Sequence, residues 1–184
     1  HLSLRRQRQM CIRDRVVGTT GFDDAKLAKL KALLAANPKV GALIAPNFAL
    51  GAVLMMQFSE IAAKYFESVE IIELHHANKV DAPSGTAVRT AEMITNARKK
   101  NNKAAMPDAT KTSIPGARGA TVGDVPIHSV RSHGYVAHQE VIFGDPGETL
   151  SIRHDSINRA GFMPGVLLGV REVGKHPGLT VGLE

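Results

Sequence analysis

The residue types best equipped for chemistry crowd into one stretch, Glu73-Leu74-His75-His76-Ala77-Asn78-Lys79-Val80-Asp81-Ala82-Pro83-Ser84-Gly85-Thr86. Imidazole titrates near neutrality, so His75 or His76 could give or take a proton at working pH. Lys79 adds a positive charge on a flexible stem. Ser84, Gly85 and Thr86 stand where a helical pattern begins, and a helix N-terminus offers backbone N–H groups to an anion. Gly85 has no Cβ to keep a ligand off the backbone. The segment suits a small carboxylate or phosphate with proton-transfer groups beside it. A plainer account competes: Ser84 is a good N-cap, Pro83 is ordinary turn chemistry, and adjacent histidines are often surface residues. Neighbouring strand residues point to opposite faces, so His75 and His76 should differ in environment unless the strand has already ended.

A second candidate is Gly18-Thr19-Thr20-Gly21, which follows Val16-Val17 and precedes a helical pattern. Backbone donors there could cradle part of a nucleotide. The loop is not the G-x-G-x-x-G fingerprint, which the chain lacks. His128, His133, His138, His154 and His176 are scattered without metal-ligand spacing, and Cys11 is the only cysteine, so no metal is expected.

The elements that must hold these residues follow from periodicity. After Val16-Val17 comes a helix over residues 23–37, with Asp23 as cap and Leu27, Leu30 and Leu34 at helical spacing, then a buried strand over 40–45. That order is part of a βαβ unit with a parallel sheet. A helix over 48–66 carries Leu50, Leu54, Phe58, Ile61 and Tyr65 on one face. A strand over 69–76 leads to the chemical segment, and a helix from Ser84 to Lys100 ends on Arg98-Lys99-Lys100, favourable at the negative end of its dipole. Residues 101–124 read as a loop. Strands follow over 125–131, 136–143 and 149–154, the last two flanking a turn at Gly144-Asp145-Pro146-Gly147, and a helix over 164–173 closes the pattern. The fold class is α/β: a central α+β unit with a mixed sheet, between two pieces of an α/β unit.

Composition narrows the function. With 184 residues, 43% hydrophobic and 22% charged, the chain can bury a core without staples. The net charge of +6 invites nucleic acid, yet five of the 23 Lys and Arg fall in residues 1–15 against one of the 17 Asp and Glu, so one end holds most of the excess. Aromatics are only 4% and Trp is absent, which disfavours a base-stacking platform. No nucleic-acid partner is expected. No apolar run is long enough for a membrane helix, and the basic N-terminus lacks the apolar core of a signal peptide. A single cysteine fits a cytoplasmic setting.

The stretch Glu73–Thr86 resembles the signature of the 4-hydroxy-tetrahydrodipicolinate reductase (dihydrodipicolinate reductase) family, actinobacterial type. The Gly18–Gly21 loop, Ala45-Pro46-Asn47-Phe48, Ile127-His128-Ser129-Val130-Arg131, Ala137-His138-Gln139-Glu140-Val141, Arg153-His154-Asp155-Ser156 and Pro164-Gly165-Val166 resemble family blocks in family order, from about Val16 to Glu184. The resemblance implies reduction of 4-hydroxy-tetrahydrodipicolinate to tetrahydrodipicolinate with NADH or NADPH, in lysine and diaminopimelate synthesis, by a homotetramer. It implies proton transfer by His75 and Lys79, substrate-carboxylate binding by His76, Ser84, Gly85 and Thr86, and cofactor contacts from Gly18, Thr19, Thr20, Ala45, Pro46, Asn47 and Phe48. Ala77-Asn78 departs from many relatives, which carry a His next to the Lys.

The implied domains are a remnant of a Rossmann-like dinucleotide-binding domain over 16–47, a substrate and oligomerisation domain over 48–158, and a return to the first domain over 159–184. Residues 1–15 match nothing in the family and are expected to be a non-native segment. The expected chain is therefore an N-terminally truncated reductase with weak cofactor affinity, and its preference between NADH and NADPH is not legible. The alternative is a non-catalytic oligomerisation module that retains the substrate domain.

Overall fold

The computed structural model describes residues 14–19 and 22–183. The expectations for Thr20, for Gly21 and for most of residues 1–15 lie outside them. The described residues divide into two compact units, one drawn from residues 14–50 with 162–183 and one of residues 51–161.

The first unit is built on three parallel strands, β1 (Arg15–Val17), β2 (Gly41–Ile44) and β8 (Gly178–Val181), in the order β1-β2-β8. Central β2, Gly-Ala-Leu-Ile, is buried throughout, as a parallel strand covered on both faces must be. Helix α1 (Asp24–Ala35) starts where expected, with the Asp23 carboxylate accepting from the Lys26 N–H at 2.8 Å. Leu43, Ala45 and Val173 form the core with Val16, Phe48 and Leu183 around them. Helix α4 (Met163–Glu172) has Pro at its first turn and brings Gly165 against the Phe48 backbone. A Cβ at 165 would collide with the Phe48 carbonyl oxygen. Gly165→Ala is therefore expected to cost about 1–3 kcal/mol by overpacking, read as a lowered unfolding midpoint; an unchanged midpoint would contradict the close approach.

The second unit holds a five-stranded mixed sheet in the order β4-β5-β3-β6-β7. Its strands are β3 (Ser68–His75), β4 (Ala120–Val122), β5 (Val125–Arg131), β6 (Ala137–Asp145) and β7 (Glu148–Ser156). Only β3 and β5 run parallel. The β6–β7 hairpin pairs Asp145 with Glu148, so Pro146-Gly147 is a two-residue loop with Gly147 at φ 91°. Alternation puts Val69, Ile71 and Glu73 on one face, all buried, beside Val125 and Ile127 of β5 and Val141 and Phe143 of β6. Helix α3 (Gly85–Lys100) packs against this sheet and buries Ala87, Thr90, Ala91, Ile94 and Ala97.

Two features go beyond the sequence pattern. Helix α2 (Leu50–Ala62) leaves the apolar face read from the sequence exposed: Phe58, Ile61 and, just after the helix, Tyr65 are all more than half exposed. It buries Ala52, Val53, Met55, Met56, Ser59 and Ala62 instead. The helix is apolar nearly all round, so its period does not choose a face. Small residues decide it, because Gly51 lies so close to the His154 ring of β7 that a Cβ would stand 2.6 Å from Cδ2. The second is strands β4 and β8, which are too short to show a period in the sequence.

Candidate active site

Strand β3 ends at His75, so His75 and His76 part company. His76 lies in the following turn, exposed, with its carbonyl accepting from the Lys79 N–H at 3.1 Å. His75 shares the inner sheet face with Glu73 two residues earlier. In the register of β3 with β5, Glu73 stands beside Ser129 and His75 beside Arg131.

The buried carboxylate of Glu73 is the hub of the segment. Its Oε2 bonds to His75 Nδ1 at 2.5 Å and accepts from Arg131 Nη1 at 2.8 Å. Its Oε1 accepts from Arg131 Nη2 at 2.7 Å and from the Ser84 N–H at 3.2 Å. Burial alone would raise the pKa of Glu73, but hydrogen bonds from His75, Arg131 and Ser129 outweigh it and lower it to about 2. One ionised carboxylate thus joins the end of β3, the end of β5 and the start of α3. Arg131 Nη2 also donates to the Asp81 carbonyl at 2.8 Å, which pins the loop between β3 and α3.

The rest of that loop places the other expected residues. Lys79 Nζ donates to Asp81 Oδ1 at 2.7 Å, and this bond holds the Asp81 carboxyl below its ordinary value. Ser84 is buried and caps α3, its Oγ accepting from the Ala87 N–H at 3.2 Å. The capping account of Ser84 therefore holds. Gly85 and Thr86 form the first turn of α3 and are only partly buried. The chemistry available is an open helix start, a lysine, and an imidazole fastened from one side.

Glu73 and Arg131 were not among the candidate catalytic or binding residues. The signal for Glu73 was present: a carboxylate inside the apolar run Ile71-Ile72-Glu73-Leu74, in step with His75. Arg131 had no such signal, because it meets Glu73 across 58 residues of chain.

Gly18, Thr19, Ala45, Pro46, Asn47 and Phe48 belong to the first unit. The loops after β1 and β2 leave the same, carboxyl edge of two parallel strands, where α/β sheets take their ligands. Gly18 passes so close to the Phe48 ring that a Cβ would stand 2.8 Å from Cε2. Asn47 Oδ1 accepts from the Ala49 N–H at 2.8 Å and shapes the second loop. These features fit a dinucleotide contacted largely through backbone groups.

The fold is a mixed α/β one with two sheets, and its likeness to known proteins is specific. The family model described as dihydrodipicolinate reductase, C-terminus, matches residues 51–184. The chain is 66% identical over 169 residues to the 4-hydroxy-tetrahydrodipicolinate reductase of Nocardia farcinica, covering 92% of this chain and 68% of that one. It is 64% identical over 170 residues to the enzyme of the same name from Thermobifida fusca, covering 92% of this chain and 69% of the other. The solved structure titled dipicolinate-bound dihydrodipicolinate reductase from Paenisporosarcina sp. TG-14 superposes with a TM-score of 0.78 at 44% identity, covering 99% of this chain and 69% of that chain. The chain belongs to the dihydrodipicolinate reductase family, a family of oxidoreductases. Among the described residues no helix is long and apolar enough to cross a membrane.

Proposed function

We propose that this protein takes part in the reduction of 4-hydroxy-tetrahydrodipicolinate to tetrahydrodipicolinate, a step of lysine and diaminopimelate synthesis in the cytoplasm. The observation that carries the reading is His75, held at the end of β3 by a buried carboxylate that also accepts from the backbone of Ser84, the N-cap of α3. By its formula the reaction adds one hydride and one proton and releases the 4-hydroxyl as water. NADH or NADPH, when bound, supplies the hydride. Gly18, Thr19, Thr20 and residues 45–48 would hold its nicotinamide side.

The protein's own residues do the rest. Gly85 and Thr86, with the Ser84 hydroxyl and His76, would grip a substrate carboxylate, aided by the positive end of the α3 dipole. His75 and Lys79 would manage the proton. Lys79 would have to turn from Asp81, at little cost for a half-exposed partner. Calorimetric titration with pyridine-2,6-dicarboxylate tests the substrate half: binding is expected, weakened about tenfold or more in Lys79→Ala, since bonds to charged groups contribute about 1.5–3 kcal/mol. A folded sample indifferent to the diacid would overturn the reading and favour a non-catalytic assembly module.

The same reading includes a homotetramer joined through the sheet of the second unit. The outward sheet face carries Ile72, Leu74, Val130 and Ile142, apolar residues left partly exposed. Light scattering should give four times the chain mass of 19.7 kDa; a monomer at micromolar concentration would remove this part.

A further inference from the structure

Most of the polar groups around His75 are accounted for by substrate binding or proton transfer, but a buried carboxylate is not. Glu73 is fully buried, and it lies on the side of the imidazole remote from any proton donor or acceptor in solution. We infer that Glu73, locked in place by Arg131, is a positioning residue that holds the His75 ring with its proton on Nδ1 and leaves Nε2 to exchange a proton with substrate. The inference rests on the reductase reading for its catalytic meaning and on geometry for everything else.

The geometry allows the carboxylate little freedom. Arg131 grips it with two parallel bonds, Nη2 to Oε1 at 2.7 Å and Nη1 to Oε2 at 2.8 Å. That fork pairs two planar groups in one plane and fixes the direction of the remaining lone pairs. One of them meets His75 Nδ1 at 2.5 Å and another the Ser84 N–H. An ionised carboxylate only accepts, so the shared proton must sit on Nδ1. The neutral histidine side chain in water prefers the opposite tautomer, with the proton on Nε2. The pair therefore reverses an intrinsic preference, and it does so before any ligand arrives. With Nδ1 protonated, neutral His75 presents a bare Nε2 lone pair, and cationic His75 presents an Nε2–H. Either form is ready for transfer without a ring flip.

The groups facing the pair from each neighbouring element agree with this assignment. On β5 they are Ser129 and Arg131, both donors to Glu73. On β6 the residues in register are Gln139 opposite Glu73 and Ala137 opposite His75. Gln139 donates its Nε2 to Thr90 Oγ1 of α3 at 2.8 Å, and its buried Oε1 has no hydrogen-bond partner among the described residues. At the start of α3 it is the Ser84 N–H, and in the preceding loop the Asp81 carbonyl, which meets Arg131 rather than the carboxylate. Of the acceptors among these, it is Glu73 Oε2 that meets Nδ1, at 2.5 Å. A purely structural Glu73 would need only Arg131 and Ser84; the contact to Nδ1 is what makes it a positioning group.

Nitrogen-15 NMR of the imidazole side chains of this chain, with His75 assigned by its loss in His75→Gln, reads the tautomer directly. It is run on the alkaline side of the ring's observed titration, with and without pyridine-2,6-dicarboxylate. In the wild type the Nδ1–H form of His75 is expected to outweigh the Nε2–H form, and the diacid is expected to shift the Nε2 resonance. In Glu73→Gln the ratio is expected to fall or invert while circular dichroism shows the fold retained. A wild-type His75 with mainly an Nε2–H proton overturns the inference, as does a folded Glu73→Gln that keeps the wild-type ratio. If Glu73→Gln does not fold, the wild-type ratio decides alone. The expected ratio with no response to the diacid would sink the reductase reading and with it the catalytic meaning of Glu73, a failure distinct from a wrong tautomer.

Discussion

Replacing Arg98 with Met is expected to destabilise the second unit by about 2–5 kcal/mol, among the largest effects of any single substitution in it. Arg98 is only 2% exposed although it lies in the last turn of a helix whose neighbours Lys99 and Lys100 face solvent. Its guanidinium bonds to Asp124 Oδ2 at 3.1 Å, to the Phe66 carbonyl at 3.1 Å and to the Ala104 carbonyl at 2.9 Å. It therefore ties α3 to the segment after α2, to the segment after α3 and to the turn before β5. Methionine keeps the apolar stem but strands two carbonyls without a donor. The ion pair is the lesser part: Asp124 is 38% exposed and keeps the Thr95 hydroxyl at 2.7 Å. Asp124→Asn should accordingly cost no more than about 1 kcal/mol, the range of exposed pairs. Urea denaturation with an unchanged slope separates the two. Equal losses would show that charge, not carbonyl satisfaction, holds this corner; a stable Arg98→Met would show that the carbonyls find other partners.

Arg98 also marks how far the sequence can be followed. Its place in a basic run at a helix end made it look like a solvated charge, and the dipole argument holds for Lys99 and Lys100. Nothing local says that one of three cations turns inward to collect carbonyls 6 and 32 residues away. The same limit applies at the site. The mixed α/β class, the caps at Asp23 and Ser84 and the turn at Pro146-Gly147 are local matters of period and turn chemistry, and they were legible. The buried face of α2 was not, because Gly51 shows its use only once His154 is beside it. His75, Lys79 and the start of α3 were legible as a cluster because they are neighbours in sequence. The group that fastens His75 was half legible: Glu73 by strand alternation, Arg131 only after β3 and β5 are laid side by side.

Acid should dismantle the Glu73 hub in a defined window, and a substitution should isolate its share. The carboxyl has an ordinary value of 4.5 and in the fold is lowered to about 2. Between those values the unfolded chain binds a proton there that the folded one does not. The stability Glu73 contributes is therefore complete above 4.5 and is lost as pH falls through about 2. Glu73→Gln removes that contribution at the outset and leaves the Arg131 charge short of its partner, a loss of about 3–5 kcal/mol near neutrality. As the pH drops toward 2 the wild type gives up the same contribution, so the gap between wild type and variant should close. Asp81 and Asp155, held low by Lys79 and by Arg153, titrate in both proteins and set a common background. Urea unfolding of both proteins at pH 7 and near pH 3 measures the gap at each end. Parallel curves, with the same difference at both, would mean that Glu73 acts by shape and not by charge, and the single ionised carboxylate that joins β3, β5 and α3 would have to be abandoned.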